Sequence, residues 1–316
     1  MNVPQSESGD YSSGQPALLS IPASCAGLRL DAALARLLPE YSRSRLQVWL
    51  KDGRVTVDGD CADAKRKVFG GEQIVLAVRP DNPSNVAGEE IDLPIVFEDA
   101  HLLIIDKPAG LVVHPGSGNR SATMMNGLLH HAPALASVPR AGIVHRLDKE
   151  TSGLLVVAKT LAAQTDLVRQ LQARTVGRRY FALVHGDLAG DGRVDAPIGR
   201  HPVQRTKMAV VAKGRAARTH YSVRERFTNA TLLECRLETG RTHQIRVHMA
   251  SIGHPLVGDP VYGRRKSADV RLDRFPRQAL HAWQLTLRHP ANGQTVSWQS
   301  ELPADFASLL EEIRHG

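Results

Sequence analysis

The stretch His145–Thr160, HRLDKETSGLLVVAKT, joins a charged turn to an apolar run, and that join decides how the rest of the chain is read. Leu154 to Ala158 are apolar without a break, with Thr151-Ser152-Gly153 before them and Lys159-Thr160 after. A short continuous apolar run bounded by turn residues reads as a strand buried on both faces. LAAQTDLVRQLQAR (161–174) follows, with Leu167, Val168 and Leu171 on one side of a helix. Further short runs of strand type are LPIVFED (93–99), HLLIIDKP (101–108), GLVVHP (110–115), GIVHRL (142–147), RYFALVHG (179–186), THYSVRERF (219–227), TLLECRLE (231–238) and HAWQLTLRHP (281–290). Gly, Pro and Asp turns separate them, and HQIRVHMASIG (243–253) begins one more helix. Strands in runs with occasional helices give an α+β domain, not regular βαβ winding.

Ahead of this domain, residues 18–80 read as a compact unit of their own. Leu30, Ala33, Leu34, Leu37 and Leu38 have the spacing of an amphipathic helix. A second helix is expected from Ser42 as N-cap to Gly53, with Leu46, Trp49 and Leu50 inward. RVTVDGD (54–60) then gives a strand and an Asp58-Gly59 hairpin turn, and EQIVLAV (72–78) a returning strand. Basic side chains stud the unit, among them Arg43, Arg45, Lys51 and Arg54. Residues 80–90 hold two prolines, a glycine and no periodicity, so 81–90 read as a linker and the larger domain is expected over 91–316. Residues 1–17, rich in Ser, Gly and Pro, read as a disordered leader.

Composition excludes several classes. With 42% hydrophobic and 23% charged residues the chain is of ordinary globular type, and its longest apolar runs fall far short of the ~20 residues that span a bilayer. No basic, then apolar, secretory leader opens it, so the cytoplasm is the expected location, with no membrane partner. Cys25, Cys61 and Cys235 lie far apart, which argues against a thiolate metal site or a disulfide framework. The net charge of +8 is unevenly spread: residues 200–226 hold eight Lys/Arg, including Arg205 and Lys207, against Glu225 alone. Such a segment suits phosphate contact. Aromatic residues make up only 4% of the chain, so folded RNA gripped through its backbone fits better than sequence-blind base stacking.

Asp148 lies between Arg146 and Lys149. A turn-capping aspartate is the ordinary explanation. A catalytic carboxylate, however, must stay ionised in a site that excludes water, where burial alone raises its pKa. Arginine offsets that cost, because its guanidinium is always charged and grips carboxylate oxygens in a planar fork. LETGRTHQIRVH (237–248) supplies two candidates, Arg241 and Arg246, and Tyr180 opens RRYFALVHG (178–186) with a ring suited to stacking on a base. His243 and His248 are five apart with no third ligand nearby, so no metal is expected. His114 reads as a structural loop histidine, and Gly116 and Gly118, with no GK[ST] after them, do not make a nucleotide-cofactor site.

GIVHRLDKETSGLLVVAKT (142–160) resembles the catalytic motif of the RluA-type pseudouridine synthases. RRYFALVHG is similar to their second motif, LETGRTHQIRVHMASIGHPLVGDPVYG (237–263) to their third and IDKPAGLVVHPG (105–116) to their opening strand and loop, all in the family's order. YSRSRLQVWLKDGRVTVDG (41–59) resembles the S4-type RNA-binding domain. The resemblance implies a mixed, mostly antiparallel sheet and isomerisation of uridine to pseudouridine without cofactor or metal. It implies Asp148 as nucleophile, Tyr180 as stacking and proton-handling residue and Arg246 as the partner of Asp148. By the same carry-over Arg146 holds the place of the flipped nucleotide and Leu280 packs near the site; Arg205 and Lys207, from the basic segment, and Arg241 are expected to bind the RNA. PIGRHPVQRTKMAVV (197–211) with GRAARTHY (214–221) is similar to the D-type members, which modify helix 69 of large-subunit (23S) ribosomal RNA. C-type relatives share the S4 domain and all the catalytic motifs. A non-catalytic assembly factor would keep the basic surfaces with no need of Asp148, Tyr180 and Arg246 together. The expected partner is large-subunit RNA or its assembly particle, bound by a monomer.

Overall fold

In the computed structural model the described residues are 17–39, 41, 43–77, 86–116, 119–263 and 267–315. They form two compact units, on either side of residues 78–85. Residues 1–16 of the expected leader, the Ser42 cap and Gly118 lie outside them, and Ala17, expected to end the leader, instead opens the first strand.

The first unit runs β1 (Ala17–Ser20), α1 (Leu30–Leu37), α2 (Arg43–Lys51), β2 (Val55–Val57), β3 (Asp60–Cys61) and β4 (Gln73–Leu76). Its antiparallel sheet has the order β1-β4-β2-β3. Asp58 (φ 54°) and Gly59 (φ 91°) are both left-handed, as a two-residue turn of the primed type needs, and Val57 pairs with Asp60 across it. Leu30, Leu34, Leu46, Trp49, Val55 and Ile74 fill the core. Buried Asp31 accepts from Arg43 (2.8 Å), Gln47 (2.5 Å) and Arg29 (3.0 Å), tying α1 to α2.

The second unit continues with β5 (Ile95–Glu98), β6 (Leu102–Lys107), α3 (Met124–His131), β7 (Ser152–Ala158), α4 (Leu161–Gln172), β8 (Gly177–His185), β9 (Gly192–Asp195), β10 (Ile198–Arg200), β11 (Met208–Val210), β12 (Arg218–Arg226) and β13 (Ala230–Leu237). It closes with α5 (Gln244–Ser251), α6 (Val270–Arg274), β14 (Leu280–Arg288), β15 (Thr295–Gln299) and α7 (Ala304–Arg314). The main sheet has the order β5-β6-β7-β14-β8-β13-β12-β9, with β15 also on β14, and among the described strands only β7 and β14 pair in parallel. All of β7 is buried. Leu155 and Val157 face α3 through Met124 and Leu128, whereas Leu154 and Val156 face Ala163 and Leu167 of α4. Cover on both faces is why β6 and β7 read as unbroken apolar runs rather than alternating ones.

Two expected strands are corrected. GLVVHP and GIVHRL make only single bridges, Val112 to Thr123 and Ile143 to Val157. The expected linker is corrected over 86–90. The Ala87 carbonyl accepts from Asn126 Nδ2 (2.9 Å), and the Glu89 carboxylate accepts from Asn126 Nδ2 (2.8 Å) and the Ala122 N–H (3.0 Å). Gly88 passes so close to α3 that a Cβ there would lie 2.9 Å from His130 N. This segment belongs to the second unit.

Candidate active site

The turn before β7 is held from several directions. Thr151 N–H donates to the Asp148 carbonyl (3.1 Å), and Thr151 Oγ1 accepts from Gln278 (3.1 Å). Buried Lys107 donates from Nζ to the carbonyls of Pro108 (2.7 Å), Leu111 (3.0 Å) and Lys149 (3.0 Å), gripping the turn one residue past Asp148. Burial pushes its amine down to about 7, against the opposing pull of the Glu150 and Asp148 charges. Gly153 (φ 110°) lies where β7 meets β14, and a Cβ there would be 2.3 Å from the Ala282 carbonyl oxygen. Only glycine lets the motif join the sheet at this point.

Helix α5 brings Arg246 to Asp148, with Nη1 donating to Oδ2 at 2.9 Å. Asp259 takes the other edge of the same guanidinium, Nε to Oδ2 at 2.7 Å and Nη2 to Oδ1 at 2.9 Å. Asp259 is itself fixed by the N–H groups of Val261 (2.8 Å) and Tyr262 (3.0 Å), and the guanidinium lies 5.1 Å from the centre of the Tyr262 ring. Burial works against the charge on Asp259, but Arg246 and the two N–H groups more than offset it and hold its carboxyl low. Burial likewise opposes the charge on Arg246, and the two carboxylates outweigh it. One arginine is therefore shared by two acids, and its orientation is set by the one that is inaccessible.

Around Asp148 opens a cavity of about 550 Å³ that also reaches Arg146, Tyr180, Arg241, His243, Arg246 and Leu280. Burial pushes the Tyr180 hydroxyl up, so it stays neutral near pH 7. Leu280 packs in the core with Tyr180 on its inner side. Arg146 is exposed at the rim. Arg241 does not meet Asp148: its Nε donates to the Ala216 carbonyl (3.2 Å). His243, left-handed at φ 56° where α5 begins, has Nδ1 2.8 Å from the Tyr262 hydroxyl and Nε2 3.7 Å from Asp148 Oδ1. Burial pushes its imidazole down. Sequence reasoning weighed His243 only as a metal ligand. His248 is buried between Thr219 (2.9 Å) and the Ala196 carbonyl (3.0 Å), away from the cavity.

Arg205 and Lys207 do not line this cavity. Arg205 is exposed, while Lys207 donates to the Val261 carbonyl (3.2 Å) beside the loop that carries Asp259. In the first unit Arg43 is partly committed to Asp31, and Arg45 lies 5.7 Å from the centre of the Trp49 ring. Arg54 is 3.9 Å from Asp52, and Lys51 is exposed. Among the described residues no group of three or more His, Cys, Asp and Glu is placed to hold a metal ion. The His114 ring bonds to the neighbouring Pro115 carbonyl (3.2 Å). Lys107 and Asp259 were missed as site residues, although both fall inside the quoted motifs. A lysine in an apolar run and an aspartate before a proline were the available signals.

The RNA pseudouridylate synthase family matches residues 101–251, and the S4 domain matches residues 28–74. The chain is 63% identical over 301 residues to the ribosomal large subunit pseudouridine synthase D of Nitrosomonas europaea, covering 94% of this chain and 88% of that one. It is 55% identical to the protein of that name from Pseudomonas aeruginosa, over 93% of this chain and 94% of the other. Among solved structures it is similar to human RNA pseudouridylate synthase domain containing 4, with a TM-score of 0.54, 28% identity and coverage of 70% and 92%. Human RNA pseudouridylate synthase domain containing 1 gives a TM-score of 0.53 at 26% identity, covering 72% of this chain and 97% of that one.

Proposed function

Because the chain belongs to the RNA pseudouridine synthase family, we propose that its substrate is large-subunit (23S) ribosomal RNA, at uridines of helix 69, and that Asp148 is the residue through which it acts. The observation that carries this reading is the Asp148–Arg246 contact at 2.9 Å, backed by Asp259 and opening onto a cavity deep enough for a base. A uracil inside a helix cannot turn over, so it is first extruded into that cavity at a cost of a few kcal/mol. Tyr180 and Leu280 provide apolar walls for it, and Arg146 at the rim takes its place in the RNA. Asp148, ionised against Arg246, attacks C1′ or removes a sugar proton. The N1–C1′ bond breaks, the base turns, and C5 rejoins C1′. Arg241 and the strip with Arg205 and Lys207 grip phosphates, and the S4 domain adds contacts through Arg43, Arg45, Lys51 and Arg54.

One carboxylate suffices, because nothing is added to the substrate. Hydrolysis of the base would need a second, water-activating acid or base. The other acid on the cavity wall, Glu238, is bonded to His220 (2.6 Å) and Arg218 (3.0 Å), and the His220 bond first of all holds its carboxyl low. A carboxylate held low with both oxygens engaged is a poor proton donor and a weak base, which favours isomerisation over glycosidase action. We place the enzyme in the cytoplasm as a monomer, working without a cofactor. Mapping pseudouridine across ribosomal RNA from a strain that lacks the chain tests the target. The expected result is loss at helix 69, restored by the wild-type chain, and an unchanged map would refute the assignment.

A further inference from the structure

Arg178 has no part in the Asp148–Arg246–Asp259 series. Strand β8 places it two residues before Tyr180, so both side chains leave one face of the strand, and both line the cavity. It is 7% exposed, whereas Arg146 and Arg174 on the same wall are exposed and Arg241 is half-buried. Among the described residues no carboxylate or carbonyl pairs with its guanidinium, and its Nε is buried with no hydrogen-bond partner. The guanidinium fits there because residue 240 lacks a side chain: a Cβ on Gly240 would come within 2.6 Å of Nη1. A guanidinium is always charged and carries five donors. Buried without an anion it is costly, so a site that keeps one is completed by what enters it.

The entering group is the base rather than a phosphate. Phosphodiesters stay hydrated and meet the exposed cations at the rim, while Arg178 lies inside, on the strand face it shares with Tyr180. We propose that Arg178 donates hydrogen bonds to the exocyclic oxygens of the extruded uracil and stabilises the negative charge that the base carries once its glycosidic bond is broken. This rests on the function proposed above. When C1′–N1 breaks, the electron pair leaves with the base, and its charge spreads over N1, O2 and O4. The guanidinium meets that charge without giving up a proton. After C5 bonds to C1′, the C5 proton is lost and N1 gains one, so the product is an isomer of the substrate. Donors fixed where charge develops in a water-poor site act more strongly on the transition state than on the ground state.

The test compares wild-type and Arg178→Met chains in single-turnover assays on helix 69 RNA containing uridine or 5-fluorouridine, reading cleavage of the N1–C1′ bond in both because fluorine at C5 cannot leave as the proton does, with RNA affinity measured alongside. Fluorine makes the departing base a more stable anion, so it needs the guanidinium less. For uridine the variant is expected to be slower by about 10²-fold, with a clearly smaller loss on 5-fluorouridine and RNA affinity within about threefold of wild type. Thermal melting verifies that the variant folds, and Arg178→Gln carries the same comparison if Arg178→Met does not. Equal losses on both RNAs, an unchanged rate, or weaker binding at a preserved rate would each overturn the inference, the last pointing to a phosphate contact. A wild-type chain that fails to convert uridine would refute the proposed function instead.

Discussion

Asp148, Arg246 and Asp259 form a series in which each charge is set by the next. Arg246 cannot swing away from Asp148 without breaking two bonds to Asp259, at 2.7 and 2.9 Å, both buried. Asp259 is therefore expected to act on the chemistry by fixing Arg246 and not by touching the RNA. Asp259→Asn removes the buried charge and nearly preserves the shape. Losing ångström-scale placement of a catalytic group costs about 10²-fold in rate. We expect kcat to fall by about that factor with KM little changed, and a variant with wild-type kcat would show that Arg246 needs no such support. Asp148 and the need for a cation beside it were legible because a carboxylate kept ionised in a dry site needs one; the third motif offered both Arg241 and Arg246, and the choice of Arg246 came from the family resemblance. Asp259 was not, because its role arises from a contact thirteen residues away across a turn.

At the scale of elements, charge also joins helices. The Asp31 carboxyl sits at about 2, below its ordinary 3.8: burial pushes it up, but Arg43, Gln47 and Arg29 more than offset that. Its contribution to stability is therefore complete above about pH 4 and is lost as pH falls through about 2. Asp31→Asn should lower hydrogen-exchange protection of α1 and α2 by about 2 kcal/mol at neutral pH. The gap from wild type should narrow as pH falls through that window, and equal protection at pH 7 would contradict it. Elements with a strong pattern were legible, namely the runs at 102–105 and 154–158 and the helix after Thr160. GLVVHP and GIVHRL were misread because an apolar run shows burial, not pairing, and each finds a partner at one residue only. Helices α3 and α7 went unread: in α3 six of the eight residues are buried, which hides the periodicity that marks a surface helix.

For the whole molecule, the proposed function assigns grip and chemistry to different residues. The net charge of +8, concentrated in 200–226, makes RNA affinity fall with salt. Asp148 is expected to add nothing to that grip. The most direct test measures RNA affinity across a salt series and single-turnover conversion of uridine, for wild-type and Asp148→Asn chains. The same affinity and salt slope are expected for both, with conversion abolished in the variant. Conversion of uridine by Asp148→Asn at a rate near wild type would contradict that expectation.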